Sequence, residues 1–123
     1  MSDKEANRLQ RKIMKEIDRL RALPAESIEP KEHATMVRKA LKEKFPNLKF
    51  SVRSSIFAGG SSVTVYSVPR FSIEPKSDLC KEVMTFVDQF DGWKSHLMDG
   101  GCNVGFEWNG KRYRGATFCS YNY

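Results

Sequence analysis

The feature that most constrains this fold is a pair of alternating runs joined by a glycine turn. At the start of the run 48–57, over residues 48–53, apolar and polar side chains alternate, and this period of two predicts a strand with one buried face. The adjacent pair Gly59-Gly60 follows and predicts a hairpin turn, because glycine adopts positive φ angles without steric penalty. The returning run, residues 62–68, is expected to turn Val63 and Val65 inward. The chain is therefore predicted to contain an antiparallel ribbon.

A first helix is predicted over residues 4–23, where apolar residues recur every three or four positions. These residues form a narrow stripe: Leu9, Ile13, Ile17 and Leu20. Pro24 ends the helix, because proline cannot continue the hydrogen-bond ladder. A stripe this narrow is similar to a coiled-coil seam. It predicts self-association with a second copy or docking against the rest of the chain.

Two further helices are predicted from the same kind of periodicity. One runs over residues 31–44, after Pro30 at its first position. The other runs over residues 75–90, with Ser77 or Asp78 suited to its positive N-terminus. Its predicted buried face consists of Leu79, Val83, Phe86, Val87 and Phe90.

The last part of the chain predicts a loop followed by a second hairpin. Residues 93–101 are expected to be the loop, and Asn109-Gly110 is a strong hairpin signal between the runs 102–108 and 111–119. The resulting order is α-α-β-β-α-β-β. It predicts a single small α+β domain, with an antiparallel sheet made of two hairpins and helices packed on one face.

The predicted organisation has three parts: a basic amphipathic N-terminal helix at 1–24, a short linker at 25–30 and an α+β core at 31–123. The 123 residues include 21 basic and 15 acidic side chains, a net charge of +6. The cations concentrate in the first half. Such a basic surface suits nucleic acid, and it is equally compatible with a solubilising helix surface.

The sequence also indicates a compartment. No apolar run is long enough to span a bilayer, so no membrane association is expected. The N-terminus lacks the apolar core of a secretory signal. Three cysteines, Cys80, Cys102 and Cys119, are an odd number without close pairing, which disfavours a disulfide framework and favours a reducing cytosol. A cytoplasmic location is therefore expected.

The candidate nucleic-acid-binding or anion-binding residues are basic, hydroxyl-bearing and aromatic side chains near the two hairpins. Those near the first hairpin are Lys39, Lys42, Lys49, Arg53, Ser55, Ser61, Ser62 and Tyr66. Those in the second are Lys111, Arg112 and Arg114. Arginine, hydroxyls and turn amides can hold a phosphate, and interleaved aromatics can stack on single-stranded bases. The alternative is that the serines satisfy turn backbone, that Arg53 pairs with a carboxylate and that the aromatics pack across strands.

The sequence gives little evidence for a catalytic site or for a metal site. His33 and His96 have no partner ligand at the spacing of a structural zinc site, so no metal and no cofactor are expected. His96 could act with Asp91 or Asp99 as an acid–base pair, and an enzyme would need His96 and Arg53 to converge in one pocket. No recognised catalytic motif accompanies them. We therefore expect a protein that is not an enzyme.

One stretch carries a family resemblance. Residues 45–63, Phe-Pro-Asn-Leu-Lys-Phe-Ser-Val-Arg-Ser-Ser-Ile-Phe-Ala-Gly-Gly-Ser-Ser-Val, resemble the signature of the twenty-ninth family of domains associated with large polyvalent proteins. Phe90-Asp91-Gly92 and the aromatic-rich end of the chain are also similar. The resemblance covers about residues 33–123. It departs at residues 74–77, where Glu-Pro-Lys-Ser replaces a Gly-Pro-Thr-like opening of the family's second helix.

The resemblance implies a setting. Modules of that family are carried by phages and conjugative elements, often within very long proteins thought to accompany invading DNA and counter host defences. No catalytic activity is firmly assigned to the module. We therefore expect a non-enzymatic binding module whose partner is DNA or RNA. The alternative is a protein-interaction module that inhibits a host defence complex, and a homodimer through the first helix is a further expectation.

Overall fold

The computed structural model describes residues 3–95 and 101–122. It contains helices α1 (Asp3–Ala22), α2 (Pro30–Lys44) and α3 (Asp78–Asp88). The strands are β1 (Glu26–Ser27), β2 (Phe50–Phe57), β3 (Gly60–Ser67), β4 (Trp93–Ser95), β5 (Gly101–Asn103), β6 (Phe106–Trp108), β7 (Lys111–Arg114) and β8 (Phe118–Asn122). The predicted α+β class is thus confirmed. The described residues form eight strands, whereas the sequence predicted four.

The helices begin and end close to the predicted positions. Pro30 lies in the first turn of α2, where its missing N–H costs no hydrogen bond. Helix α3 begins later than predicted because Ser77 caps it, its hydroxyl accepting a hydrogen bond from the Cys80 amide at 3.1 Å. The predicted inward position of Leu79 is wrong. Its side chain is 38% exposed, and the neighbouring Cys80 is buried.

The first hairpin forms as predicted. Strands β2 and β3 pair antiparallel from Phe50↔Ser67 to Phe57↔Gly60 without interruption. Only two residues connect them, and Gly59 adopts a φ of +88°, which explains the need for glycine there. Val63 and Val65 are completely buried, as the alternating pattern requires.

The two hairpins do not form one sheet, so that prediction is wrong. The second hairpin, β6–β7, belongs to a separate sheet of order β1-β7-β6, in which β1 pairs parallel with β7. The run 111–119 also divides. Its end becomes β8, which leaves the hairpin and pairs parallel with β3 in the sheet of order β2-β3-β8.

Two other segments differ from the predictions. Of the predicted loop 93–101, Trp93–Ser95 forms β4, which pairs antiparallel with β5, and residues 96–100 lie outside the described residues. Within the predicted linker 25–30, Glu26–Ser27 forms β1, and the Ile28 amide donates to the Arg114 carbonyl at 3.0 Å. The three-part division of the chain stays a prediction.

The core lies between the inner face of the β2-β3-β8 sheet and helices α2 and α3. Its buried members include Val37, Leu41, Val52, Val63, Val65, Val83, Val87 and Phe90. Aromatic rings extend this core toward β6, where Phe90 and Trp108 lie 4.8 Å apart between ring centroids. Both helices therefore pack on one face of this sheet.

Candidate nucleic-acid interface

The outer face of the β2-β3-β8 sheet carries polar and aromatic side chains. Successive side chains of a strand point to opposite faces of the sheet. Val52, Val63 and Val65 are buried on the inner face, so the residues next to them point to the outer face. The outward register pairs are Ser51↔Tyr66, Arg53↔Thr64 and Ser55↔Ser62, with Phe118, Ser120 and Asn122 of β8 beside them. The hairpin thus places Arg53 and Tyr66 on one face, as the sequence predicts.

A first cleft opens at the base of this face. It has a volume of about 350 Å³, and Arg53, Tyr66 and Arg70 line it. The guanidinium carbon of Arg70 lies 4.9 Å from the centre of the Tyr66 ring, within the range of a cation–π contact. The cleft therefore offers two arginines and an aromatic face together.

The residue after Arg70 has an unusual backbone. Phe71 adopts a φ of +63°, which is uncommon for a bulky side chain, and its ring is 64% exposed. The Arg70 guanidinium carbon lies 5.3 Å from that ring centre as well. Arg70 is thus placed between two aromatic rings at the rim of the first cleft.

A second cleft adjoins the first on the α2 side. It has a volume of about 420 Å³, and its basic lining residues are Arg38, Lys42 and Lys49. Arg38 and Lys42 are four residues apart on α2 and therefore share a face of that helix. The Arg38 guanidinium donates to the Val52 carbonyl at 2.8 Å, which fixes it against β2.

The two clefts share one lining residue, Val68. We call their cationic residues and aromatic partner the basic zone: Arg38, Lys42, Lys49, Arg53, Arg70 and Tyr66. None of the described residues that line either cleft is acidic. A concentration of cationic side chains raises the local positive potential, which attracts polyanions.

The structure brings together part of the predicted set. Lys42, Lys49, Arg53 and Tyr66 fall in the basic zone, and Ser55 and Ser62 lie on the same outer face. Lys39 is exposed on α2 and lines neither cleft. Ser61 instead contacts Thr117, whose hydroxyl accepts from the Ser61 amide at 3.2 Å.

The basic residues of the second hairpin lie apart from the zone, in the β1-β7-β6 sheet. Lys111 forms an ion pair with Glu26 at 2.7 Å, which raises the pKa of the Lys111 ammonium. Arg112 donates to the Val104 carbonyl at 2.7 Å, and Arg114 is half-buried. Lys111 thus joins β7 to β1, Arg112 joins β7 to the segment before β6, and none of the three lines either cleft.

Two residues of the zone, Arg38 and Arg70, were missed from the sequence. A signal existed for Arg38, since it precedes the predicted Lys42 by four positions on one helix. None existed for Arg70, because its position depends on the chain path after Pro69. Only the fold brings it over the Tyr66 ring.

The buried titratable groups serve the fold. The Nε2 of His33 donates to the Phe90 carbonyl at 3.0 Å, and its Nδ1 accepts from the Ala116 amide at 3.0 Å. Burial lowers the pKa of His33 to about 4, so the ring is neutral. Burial also raises the pKa of the Cys119 thiol to about 12. Neither group is suited to catalysis at neutral pH.

The Asp91 carboxylate accepts from the amides of Trp93 and Cys119 at 3.2 and 3.3 Å. Its burial raises its pKa. His96, the proposed acid–base partner of Asp91, lies outside the described residues, as does its alternative partner Asp99. Within the described ranges, no three His, Cys, Asp or Glu side chains are arranged to hold a metal ion.

The apolar stripe of helix α1 is partly buried against the rest of the chain and partly exposed to solvent. Ile17 is 3% exposed and Leu9 is 41% exposed. Ile13, Ile17 and Leu20 line a common cleft with Lys94. Leu9 thus remains available to a partner, and self-association stays a prediction. In the part of the chain that the structure describes, no helix is both long and apolar enough to cross a membrane.

A comparison with family models gives one match. The model described as large polyvalent protein associated domain 29 matches residues 28–123, well over half of the chain. The match excludes α1 and contains both clefts. No significant match was found among curated proteins or among solved structures.

Proposed function

The chain belongs to the family of large polyvalent protein associated domain 29, and we propose that it is a non-enzymatic module that binds nucleic acid through the basic zone. The proposal includes the setting that the resemblance implies, a protein of a phage or another mobile element. One observation carries the binding proposal: five cationic side chains line two clefts that share Val68 and contain no acidic lining residue among those described.

The composition of the zone favours contacts to the sugar–phosphate backbone. Arginine and lysine neutralise phosphates and release counterions, and such contacts position a nucleic acid without reading its sequence. The cations come from α2, from β2 and from the segment after β3. A single strand lying across the two clefts would therefore meet charge along its length.

Aromatic residues beside these cations favour a single strand over a duplex. The Arg70 guanidinium packs against the Tyr66 ring, and the neighbouring Phe71 ring is exposed. Unpaired bases stack on such side chains at about 1–3 kcal/mol per base, whatever their identity. We therefore expect DNA or RNA single strands to bind with little sequence preference.

The test compares two double variants of equal charge. Arg53→Gln/Arg70→Gln removes two cations from the zone, and Lys31→Gln/Lys81→Gln removes two exposed cations that line neither cleft. Fluorescence anisotropy with a labelled oligothymidine at low salt measures both. We expect the first variant to bind about tenfold more weakly or worse, because each charged contact contributes roughly 1 kcal/mol.

Equal losses in the two variants would mean that net charge alone drives binding, which contradicts the proposal. No binding by the unsubstituted chain to single-stranded DNA, single-stranded RNA or duplex DNA would contradict it more directly. That second result would favour the alternative function, a protein-interaction module that inhibits a host defence complex.

A further inference from the structure

The open edge of β2 is a second binding feature, which lies beside the clefts and shares Arg38 and Arg53 with them. In the described part of the chain, β2 has β3 on one side and no strand on the other. An open edge presents unpaired backbone groups that can pair with another strand. Proteins block such edges with prolines, bulges, short strands, charged side chains or a covering element, and here Arg38 contacts the edge at the Val52 carbonyl. β2 contains no proline, spans eight residues and pairs with β3 without a bulge.

The hydrogen-bond pattern shows which backbone groups point outward. The Val68 amide donates to the Lys49 carbonyl at 3.0 Å, so this opposed pair is a hydrogen-bonded one. In an antiparallel ladder such pairs alternate with non-bonded pairs. Residues 50, 52, 54 and 56 therefore turn their amides and carbonyls to the open edge. The Val52 carbonyl accepts from Arg38, which agrees with this assignment.

The distal half of the edge extends beyond the helices. Along the inner side of β2, exposure increases from Val52 at 5% to Ile56 at 80%. On the outer side Phe57 is 46% exposed. An added strand would cover the Ile56 side chain on the inner face and would pass beside Phe57 on the outer face. Its main chain would form the hydrogen bonds, and its alternate side chains would determine specificity.

The charge beside the edge defines the chemistry of the occupant. Arg53 lies on the outer face at the middle of β2, and Arg38 reaches the edge itself. An added strand with acidic residues on the Arg53 face and apolar residues on the Ile56 face would match both faces. A second copy of this chain fits less well, because antiparallel pairing of two β2 edges brings their arginines together.

We propose that the edge of β2 binds an extended acidic peptide as an additional strand of the sheet. Backbone hydrogen bonds to residues 54 and 56 provide the affinity. Arg53 selects acidic side chains on one face and Ile56 selects apolar ones on the other.

The probe is a synthetic peptide of alternating valine and glutamate, with two comparison peptides. In the first, lysine replaces glutamate. In the second, the amides on one edge of the strand are N-methylated, which removes half of the backbone donors. We expect micromolar binding of the glutamate peptide to the full chain by calorimetry, and losses of about tenfold or more for both comparison peptides.

Two variants test the site on the protein. Ser54→Pro removes an amide that faces the open edge and spares the β2–β3 ladder, and Ile56→Lys removes the apolar contact. The matched control is Leu79→Lys on α3, whose side chain is 38% exposed. Both edge variants should lose about tenfold in peptide affinity, and the control should change by less than about twofold.

Amide hydrogen exchange gives a readout that does not depend on a variant folding. In the free chain, the amides of Ser54 and Ile56 should exchange faster than that of Ser55, which pairs with Ser62. The glutamate peptide should protect Ser54 and Ile56. Unchanged exchange at these amides, or equal binding of the N-methylated peptide, would overturn the proposal.

Two other outcomes are distinguished by the same variants. Concentration-dependent dimerisation that Ser54→Pro abolishes would assign the edge to a second copy and overturn the peptide proposal. Failure of peptide binding leaves the nucleic-acid proposal intact, because Arg70 and Tyr66 lie away from this edge. Ser54→Pro is accordingly expected to bind oligothymidine within about twofold of the unsubstituted chain.

Discussion

At the scale of single residues, His33 connects three parts of the fold. It lies on α2, its ring stacks on Phe106 with centroids 4.7 Å apart, and it bonds the backbone after α3 and before β8. A protonated ring could not accept the Ala116 amide hydrogen bond. The neutral form is therefore part of the folded structure.

This predicts loss of stability in acid. The pKa of His33 is lowered to about 4 from 6.5, so below pH 6.5 the unfolded chain binds a proton that the folded chain does not. The free energy of unfolding should fall by up to about 3 kcal/mol between pH 6.5 and 4. The raised pKa of Asp91 acts in the opposite direction and offsets part of this loss.

Urea unfolding at several pH values measures the effect. His33→Gln retains a donor and an acceptor without titrating in this range, so its stability should change less with pH than that of the unsubstituted chain. Parallel profiles for the two proteins would contradict this account of His33.

Gly115 is predicted to tolerate no side chain, because a Cβ there would lie 2.7 Å from the Nδ1 of His33. Gly115→Ala should lower the free energy of unfolding by about 1–3 kcal/mol, the usual penalty for overpacking. The control is Ser120→Ala, at an exposed position of β8. Equal stability of the two variants in urea would show that the loop before β8 can move away from His33.

At the scale of elements, the Ser77 cap should contribute to the stability of α3. Its hydroxyl satisfies the Cys80 amide at 3.1 Å, and the loss of such a cap costs about 1 kcal/mol. Ser77→Ala should therefore unfold at lower urea than Ser72→Ala, whose side chain is exposed. Identical midpoints would mean that the backbone around Pro75 alone positions the start of α3.

Helix α1 carries the prediction of self-association. Light scattering on the full chain should give a mass that increases with concentration above the 14.1 kDa of one chain. Leu9→Lys should abolish the increase, because Leu9 is the exposed member of the stripe. Met14→Lys, at an exposed α1 position outside the stripe, should not. A constant monomer mass for the unsubstituted chain would contradict the prediction.

Local pattern predicted the elements better than their pairing. Alternation and the turn glycines identify the β2–β3 hairpin, because both signals come from neighbouring residues. The pairing of β8 with β3 joins Val63 to Cys119, far apart in sequence, and no local signal reports it. In the basic zone, Lys42, Lys49, Arg53 and Tyr66 were predicted by residue type, whereas Arg70 required the chain path after the hairpin.

At the scale of the whole molecule, the net charge of +6 is less informative than its distribution. The cations of the second hairpin are engaged in local contacts, Lys111 with Glu26 and Arg112 with Val104. Those of α2 and β2, together with Lys49 and Arg70, line two clefts that share Val68. A chain of the same composition could fold with these cations far apart. Their position around the same two clefts is the observation that supports nucleic-acid binding.

The most direct test of this account is the salt dependence of oligothymidine binding. The logarithm of the association constant falls linearly with the logarithm of salt concentration, by about 0.7 for each phosphate neutralised on a single strand. The unsubstituted chain should give a slope of about −2 to −4, and Arg53→Gln/Arg70→Gln should make it shallower by about 1 to 1.5. Lys31→Gln/Lys81→Gln should leave the slope unchanged. A slope near zero, or one that both double variants reduce equally, would contradict the claim that the basic zone holds the nucleic acid.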